Sequence, residues 1–227
     1  MLNIWCVCVG DKYTNDDVYK LWAMCEHNMR EPFQFKCLSD RQIPGVYCLI
    51  PNEVWPGWWS KLLLFRYARG RCLYLDLDVV VVGDLAPLSS ERLTIPANWG
   101  QSGHGGCQSS VMAWDSRIER LGWLADNFRP AELTAPTNGN HGYYHGLWGD
   151  QEYITQQLGS PGGPNIRPMS GVYSYKYHCQ SRPPDDAAVV CFHGNPKPKE
   201  VTDEWVRNAR SFTLIPACHT RLTMVAP

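Results

Sequence analysis

The first 85 residues alternate between short apolar runs and segments with helical spacing. The apolar runs lie at 3–9, 33–38 and 46–50, and each ends in turn-forming residues, as buried strands do. A polar group at 15–17 precedes an apolar stripe with i, i+3, i+4, i+7 spacing, which predicts a capped helix. The stripe consists of Val18, Leu21, Trp22 and Cys25. A second helix is predicted over 58–67, before Gly70. This order favours β-α-β units and an α/β fold with a mainly parallel sheet.

The second part of the chain changes character, because stretches rich in glycine, proline and polar residues interrupt shorter elements. These stretches lie at 99–106, 129–142 and 159–171. Strands are predicted at 109–114 and 187–192, and a helix at 150–157. Loops of this kind commonly carry ligand-binding residues. We predict one domain over 1–227, with a loop-rich half from about residue 86 onward.

The charge balance gives no bias toward polyanionic partners. The 227 residues include 21 Lys and Arg against 22 Asp and Glu, for a net charge of −1. Binding to nucleic acid would therefore need a local patch, such as Arg66, Arg69 and Arg71. No apolar run approaches the roughly 18 residues that cross a bilayer, and the first residues do not resemble a signal peptide. We expect no membrane span and a cytoplasmic location.

Ten cysteines are unusual for a chain of this length. Five of them lie in apolar, strand-like runs, where a reduced thiol packs as a small hydrophobe. These five are Cys6, Cys8, Cys48, Cys72 and Cys191. The alternative is a zinc site that combines His178 and Cys179 with Cys191 and His193. No C-x2-C pair supports zinc, so free, buried thiols are the favoured interpretation.

Two carboxylates interrupt the most apolar run of the chain, RCLYLDLDVVVVGD at 71–84. If the run is one strand, Asp76 and Asp78 lie in its middle and point to the same face. Two buried like charges are costly unless a cation holds them, and Mg²⁺ or Mn²⁺ is the simplest choice. The alternative is that the strand ends at Leu75 and both aspartates are solvated turn residues.

A second apolar strand leads directly into polar residues near the other end of the chain, in VVCFHGNPKP at 189–198. His193 is a side chain that accepts Mn²⁺, and Gly194 would let the backbone approach a phosphate closely. Lys197 supplies a compact positive charge. Together with the paired aspartates, these residues predict a site for a metal ion and phosphate groups.

At these positions the sequence resembles the GT-A fold glycosyltransferases, and in particular the retaining family 8 that includes glycogenin and bacterial lipooligosaccharide galactosyltransferases. The segments that carry the resemblance are LYLDLDVVVVGDL at 73–85, SSVMAWD at 109–115, GDQEYI at 149–154 and HGNPKP at 193–198. CLSD at 37–40 and WPGWWSKLLLFR at 55–66 also resemble uncharacterised bacterial and phage relatives of that family. The resemblance implies a mainly parallel central sheet flanked by helices. It implies a nucleotide-binding half at about 1–85 and a donor and acceptor half at about 86–227.

The resemblance also implies roles for individual residues. The implied metal ligands are Asp76, Asp78 and His193. The implied catalytic residues are Lys61 near the phosphates, Asp150 at the sugar hydroxyls and Gln151 beside the anomeric carbon. The implied donor-binding residues are Val9, Gly10, Asp11, Tyr13, Asp40, Lys61, Asp76, Leu77, Gln108, Gly194 and Lys197. Among these, Tyr13 would stack on the base, and Gly194 and Lys197 would hold the diphosphate.

Three departures from the family pattern affect these expectations. The family histidine usually stands three residues before the glycine, where this chain has Cys191, whereas His193 directly precedes Gly194. Lys199 replaces the tryptophan that usually follows the lysine and proline. Gln108 also stands where the family often has asparagine. The third metal ligand therefore has two alternatives: His193 reaches the ion over a shortened loop, or Asp76 and Asp78 are its only protein ligands.

The implied activity is metal-dependent transfer of a sugar from a nucleotide-diphosphate sugar, with retention and with Mn²⁺ or Mg²⁺, and the resemblance implies a UDP-sugar as the donor. The acceptor is open between a glycan, a protein side chain and a modified base in phage DNA. Two rival functions are a sugar-1-phosphate nucleotidyltransferase and a non-catalytic sugar-binding module. The first is disfavoured because the turn after the first strand lacks a Gly- and Arg-rich phosphate loop.

Three tryptophans surround the Pro56-Gly57 pair and could form a platform for a sugar ring. For Trp58 and Trp59 we favour packing at the start of the predicted helix, whereas for Trp55 both interpretations stay open.

Overall fold

The computed structural model describes residues 1–99, 106–136, 141–179 and 181–214. Its strands are β1 (Leu2–Cys8), β2 (Phe33–Ser39), β3 (Tyr47–Leu49), β4 (Arg71–Leu75), β5 (Val79–Val81), β6 (Thr94–Ile95), β7 (Val111–Asp115), β8 (Arg167–Pro168), β9 (Val172–Ser174) and β10 (Val189–Cys191). Its α-helices are α1 (Asn15–Asn28), α2 (Leu63–Tyr67), α3 (Glu119–Asn127), α4 (Asp150–Leu158), α5 (Tyr175–His178) and α6 (Glu204–Arg210). Short 3₁₀ helices lie at Gly57–Leu62, Ala86–Leu88, Pro130–Glu132 and Pro198–Glu200.

The central sheet is mainly parallel, as the sequence predicts. Over the described residues it has seven strands in the order β3-β2-β1-β4-β7-β6-β8. Strand β1 pairs in parallel with both β2 and β4, and only β7 runs antiparallel to its two neighbours. The carboxyl ends of β1, β2 and β4 therefore meet at one edge, where ligands of open α/β sheets commonly bind.

The apolar run at 71–84 is not one strand. Strand β4 ends at Leu75, residues 76–78 form a turn, and β5 belongs to a second, three-stranded sheet with the order β5-β10-β9. The backbone N–H of Asp76 donates to the carbonyl of Ser110 at 2.9 Å, whereas that of Val82 donates to Ala188 at 2.9 Å. The prediction that Asp76 and Asp78 lie in the middle of a strand is therefore wrong. The run stays apolar through the change of sheet because β4 and β5 are both buried.

Helix α1 follows the predicted stripe. Val18, Leu21 and Cys25 are fully buried, and the ring of Trp22 stacks on Phe35 of β2 at 5.5 Å. The helix begins at Asn15, and the residue that caps it is Thr14, just before the polar group at 15–17. The Thr14 N–H donates to the Asp17 carboxylate at 3.0 Å. The second predicted helix consists of a 3₁₀ turn followed by α2.

The nine described cysteines are all free, and all but Cys48 are buried. Burial raises the pKa of Cys72 to about 12 and that of Cys8 to about 11, which keeps both thiols protonated. Burial also raises the pKa of Cys179 to about 11, and the nearby His178 Nδ1 accepts a hydrogen bond from the Ser174 N–H at 3.0 Å. These contacts favour buried thiols over the alternative zinc site.

Across the described ranges, no helix combines the length and apolarity that a bilayer crossing requires.

Candidate active site

A cavity of about 860 Å³ opens where the carboxyl ends of β1, β2 and β4 meet. All but one of the predicted site residues line it: Val9, Gly10, Asp11, Tyr13, Asp40, Lys61, Asp76, Asp78, Gln108, Asp150, Gln151, His193, Gly194 and Lys197. The exception is Leu77, which stands between the two aspartates in the sequence. Its side chain is buried in the hydrophobic core. The volume is near the upper end of the roughly 300–1,000 Å³ that small-molecule sites occupy.

Lys61 lies between two carboxylates at the floor of the cavity. It is only 5% exposed, and its Nζ lies 3.2 Å from Asp76 Oδ1 and 3.4 Å from Asp150 Oδ2. Burial alone would lower the pKa of Lys61, but Asp150 and Asp76 raise it above its usual value. Burial would raise the pKa of Asp76, but Lys61 and the hydroxyl of Tyr74 lower it. The lysine is therefore a fixed positive charge beside both acids.

Asp150 is buried beside Lys61. Burial raises the pKa of Asp150, although the Lys61 charge lowers it, and its Oδ2 lies 3.4 Å from Lys61 Nζ. The residue opens α4 directly after Gly149, so the start of this helix holds the carboxylate against the cavity. Contact between Asp150 and the hydroxyls of a sugar stays a prediction.

Asp78 is held by different partners from those of Asp76. Its Oδ2 accepts hydrogen bonds from Lys197 Nζ at 2.6 Å and from the Tyr13 hydroxyl at 2.9 Å. Burial, followed by the charges of Asp78 and Asp76, raises the pKa of Tyr13, so the phenol stays protonated. Lys12 covers a face of the Tyr13 ring at 5.0 Å, and stacking on a base would therefore use the other face.

The turn after β1 is held by the two residues that follow β2. Asp40 Oδ2 accepts a hydrogen bond from the Gly10 N–H at 2.7 Å. Arg41 donates to the carbonyls of Gly10 and Tyr13, both at 3.0 Å. Asp40 thus shapes the turn, and Arg41 is a contributor that the sequence analysis did not identify.

Gln108 fixes the loop opposite this turn. Its side-chain carbonyl accepts hydrogen bonds from the N–H and the hydroxyl of Ser110, at 3.1 and 3.0 Å. Its amide NH₂ is therefore the group with which a donor molecule would interact.

His193 follows β10 and is orientated by the second sheet. Its Nε2 lies 2.7 Å from the hydroxyl of Ser174, and the rings of Trp99 and Tyr177 flank it at 5.9 and 5.8 Å. Burial, followed by the charge of Lys176, lowers the pKa of His193 and favours the neutral imidazole that metals bind. Contact between Nε2 and an ion would break the hydrogen bond with Ser174.

The carboxylates fit a divalent ion by their chemistry. Asp76 and Asp78 are 23% and 12% exposed and face the same cavity, and carboxylate oxygens are the ligands that Mg²⁺ and Mn²⁺ prefer. In the described part of the chain, no three His, Cys, Asp or Glu side chains lie close enough together to hold an ion. The donor set therefore suits two carboxylates completed by phosphate oxygens, and ligation by His193 stays a prediction.

Aromatic side chains line part of the cavity, and His141 and Trp148 among them were not assigned to the site from the sequence. Trp58, His141 and Trp148 line it together, and Trp55 also lines it although it is only 3% exposed, whereas Trp59 is fully buried. The packing favoured for Trp59 is confirmed, whereas Trp58 faces the cavity. His141 and Trp148 follow a glycine-rich stretch with no periodic pattern, so no local signal marked them.

Replacing Gly57 with alanine should destabilise the fold more than replacing Gly10. Both glycines have positive φ, +52° and +70°, but a Cβ at Gly57 would lie 2.1 Å from the His141 ring, whereas nothing lies within 4 Å at Gly10. We expect about 1 kcal/mol for the Gly10→Ala backbone strain and a larger loss for Gly57→Ala. Thermal unfolding of the two variants measures the difference, and equal melting temperatures would contradict this packing.

Comparisons with known proteins agree with the architecture. No protein-family model matches the sequence, and no curated protein matches it. Among solved structures, an active-site mutant of LgtC matches with a TM-score of 0.61 and 14% identity, covering 94% of this chain and 97% of that one. The galactosyltransferase LgtC in complex with donor and acceptor sugar analogues matches with a TM-score of 0.59 and 15% identity over the same shares.

A third match is the glycosyltransferase GlyE of Streptococcus pneumoniae, with a TM-score of 0.60 and 13% identity. It covers 92% of this chain and 60% of GlyE, so this chain spans only part of that protein. The α/β fold with a mainly parallel sheet is therefore the GT-A fold that LgtC and GlyE share.

Proposed function

We propose that the protein is a metal-dependent glycosyltransferase that moves a sugar from a nucleotide-diphosphate sugar, in the first instance a UDP-sugar, to an acceptor hydroxyl with retention. The observation that carries this proposal is the group of paired charges in one cavity, where Lys61 contacts Asp76 and Lys197 contacts Asp78. The fold shared with LgtC and GlyE supports the same reaction class.

Charge on the leaving diphosphate determines the barrier to this reaction. Asp76 and Asp78 would hold a divalent ion, which supplies positive charge to the phosphate oxygens when bound. Lys197 lies against Asp78, and Lys61 lies against Asp76, so both ammonium groups would lie near a diphosphate held at these aspartates. Fixed charges of this kind stabilise negative charge as it develops.

Asp150 and Gln151 would orient the sugar from the first turn of α4. Both line the cavity, and Gln151 is a neutral amide, which disfavours a covalent intermediate on its side chain. With retention, the acceptor hydroxyl approaches from the side of the leaving group. Its proton then passes to a phosphate oxygen, so the activated leaving group needs no protonating acid.

The turn at 9–13 would hold the nucleotide, shaped from behind by Asp40 and Arg41. The turn itself lacks a Gly- and Arg-rich phosphate loop, so it gives no support to the nucleotidyltransferase alternative. A non-catalytic sugar-binding module would share the cavity but would release no nucleotide.

Donor binding tests the proposal before any acceptor is known. We expect one of UDP-glucose, UDP-galactose, UDP-N-acetylglucosamine or GDP-mannose to raise the melting temperature, and to do so more strongly with Mn²⁺. Lys197→Ala should weaken donor affinity about tenfold, because a charge-assisted contact to phosphate is lost. Lys199→Ala is the matched control, since Lys199 is exposed and does not line the cavity. No shift with any donor, with or without Mn²⁺, would contradict the proposal.

A further inference from the structure

The aromatic rim, defined as Trp58, His141 and Trp148, lines the cavity. The ring of Trp58 lies 4.5 Å from that of His141, nearly perpendicular to it, and 6.2 Å from that of Trp148, nearly parallel to it. Trp148 is 36% exposed, although a tryptophan in a core would bury nearly all of its surface. The rim therefore offers apolar surface to a ligand.

The rim adjoins the start of α4, where Asp150 and Gln151 lie. A Cβ at Gly149 would come within 3.1 Å of Trp58 Nε1, so this indole packs against the residue directly before Asp150. Trp148 precedes the same glycine. A molecule resting on the rim would therefore lie next to the Asp150 carboxylate.

Contacts on several sides hold the rim in place. The Trp148 backbone N–H donates to Glu152 Oε2 at 2.6 Å, and Tyr143 meets the Trp148 ring edge-on at 5.6 Å. Gly57 leaves the space that the His141 ring fills. An aromatic surface fixed before binding loses little conformational freedom when a ligand arrives.

The charge of the rim distinguishes between the open acceptor classes. Two of the three lysines that line the cavity, Lys61 and Lys197, are paired with the carboxylates of Asp76 and Asp78. The positive charge that acts on His141 comes from Lys12, on the turn after β1. A polynucleotide acceptor would need cations along its backbone, whereas a neutral ring with hydroxyl groups needs only apolar faces and a few polar atoms.

We propose that the aromatic rim is the acceptor subsite and that it binds a neutral saccharide ring. This inference rests on the proposed function. In the transfer step an acceptor hydroxyl oxygen forms the bond to the anomeric carbon, and the bond from that carbon to the diphosphate breaks. The hydroxyl proton leaves with the diphosphate.

Transfer kinetics with defined glycosides test the subsite. The probes are lactose, maltose, chitobiose and p-nitrophenyl glycosides, each with Mn²⁺ and the donor that the protein binds. We expect Trp148→Ala to raise the KM for the glycoside about tenfold and the KM for the donor less than about threefold. Trp148→Phe should recover most of the loss. Trp123→Ala is the matched control, because Trp123 is 49% exposed on α3 and does not line the cavity.

The outcomes separate the subsite from the proposed function. Release of nucleoside diphosphate with equal glycoside KM values in wild type, Trp148→Ala and Trp123→Ala would overturn the subsite alone. So would the absence of any accepted glycoside, or competition by single-stranded oligothymidylate that depends on Trp148. Failure of the wild type to release nucleotide from every donor would overturn the proposed function itself.

Discussion

Replacing Asp78 with alanine should reduce the release of nucleoside diphosphate from the donor at least about a hundredfold, because one carboxylate of the predicted metal site is lost. The change also leaves Lys197 and the Tyr13 hydroxyl without the oxygen that both contact. The expected loss is therefore one of rate and of donor binding together. Nucleotide release with Mn²⁺ over a range of donor concentrations measures both.

A nearby aspartate provides the control. Asp84 lies in the same run, but its carboxylate accepts a hydrogen bond from the Ala86 N–H at 3.1 Å and does not line the cavity. Asp84→Asn should therefore retain activity. Equal activity of Asp78→Ala and Asp84→Asn would show that Asp78 holds no essential ion.

Replacing Lys61 with methionine should lower the free energy of unfolding by about 3–5 kcal/mol, because breaking a buried ion pair leaves unpaired charge behind. Here one ammonium serves Asp76 and Asp150, so both carboxylates lose their counter-charge. Lys36→Met is the control, since Lys36 contacts the rings of Trp5 and Tyr47 at 5.5 and 5.3 Å. Its removal leaves no buried carboxylate without a counter-charge. Urea denaturation measures both variants.

The pH dependence of this loss has a definite sign. The pKa of Asp76 is lowered in the folded protein, so its ionised form contributes stability above its unfolded pKa and loses that contribution as the pH falls. The difference between wild type and Lys61→Met should therefore shrink below about pH 4. A constant difference from neutral to acid pH would contradict the role of Lys61 as counter-charge to Asp76.

The spacing of apolar residues predicted α1, and short apolar runs that end in turn-forming residues predicted the first strands of the sheet. An unbroken apolar run carries no period, so 71–84 could not show that β4 ends at Leu75 and that β5 joins another sheet. The aspartates were still recognised as unusual, since charge within buried sequence needs a partner. The partners that the structure places there are Lys61 and Lys197.

Site residues could be predicted where they belong to a recognisable sequence motif. Residues that are distant in sequence and meet only in the folded chain could not. Asp150 and Lys197 come from recognisable segments, and both line the cavity. The contact between Trp58 and Trp148 spans ninety positions of sequence, and no local pattern encodes a pairing over that distance. Tyr74 does have a local signal, since it lies two residues before Asp76 in the sequence. Its hydroxyl donates a hydrogen bond to the Asp76 carboxylate.

Nucleotide release by the wild-type protein tests the central proposal most directly. Incubation with UDP-glucose, UDP-galactose, UDP-N-acetylglucosamine and GDP-mannose should release nucleoside diphosphate from one donor in Mn²⁺, and EDTA should stop the release. Donor binding without release would indicate a sugar-binding module. Release of pyrophosphate from a nucleoside triphosphate and a sugar-1-phosphate, with no release from any nucleotide sugar, would contradict the glycosyltransferase proposal.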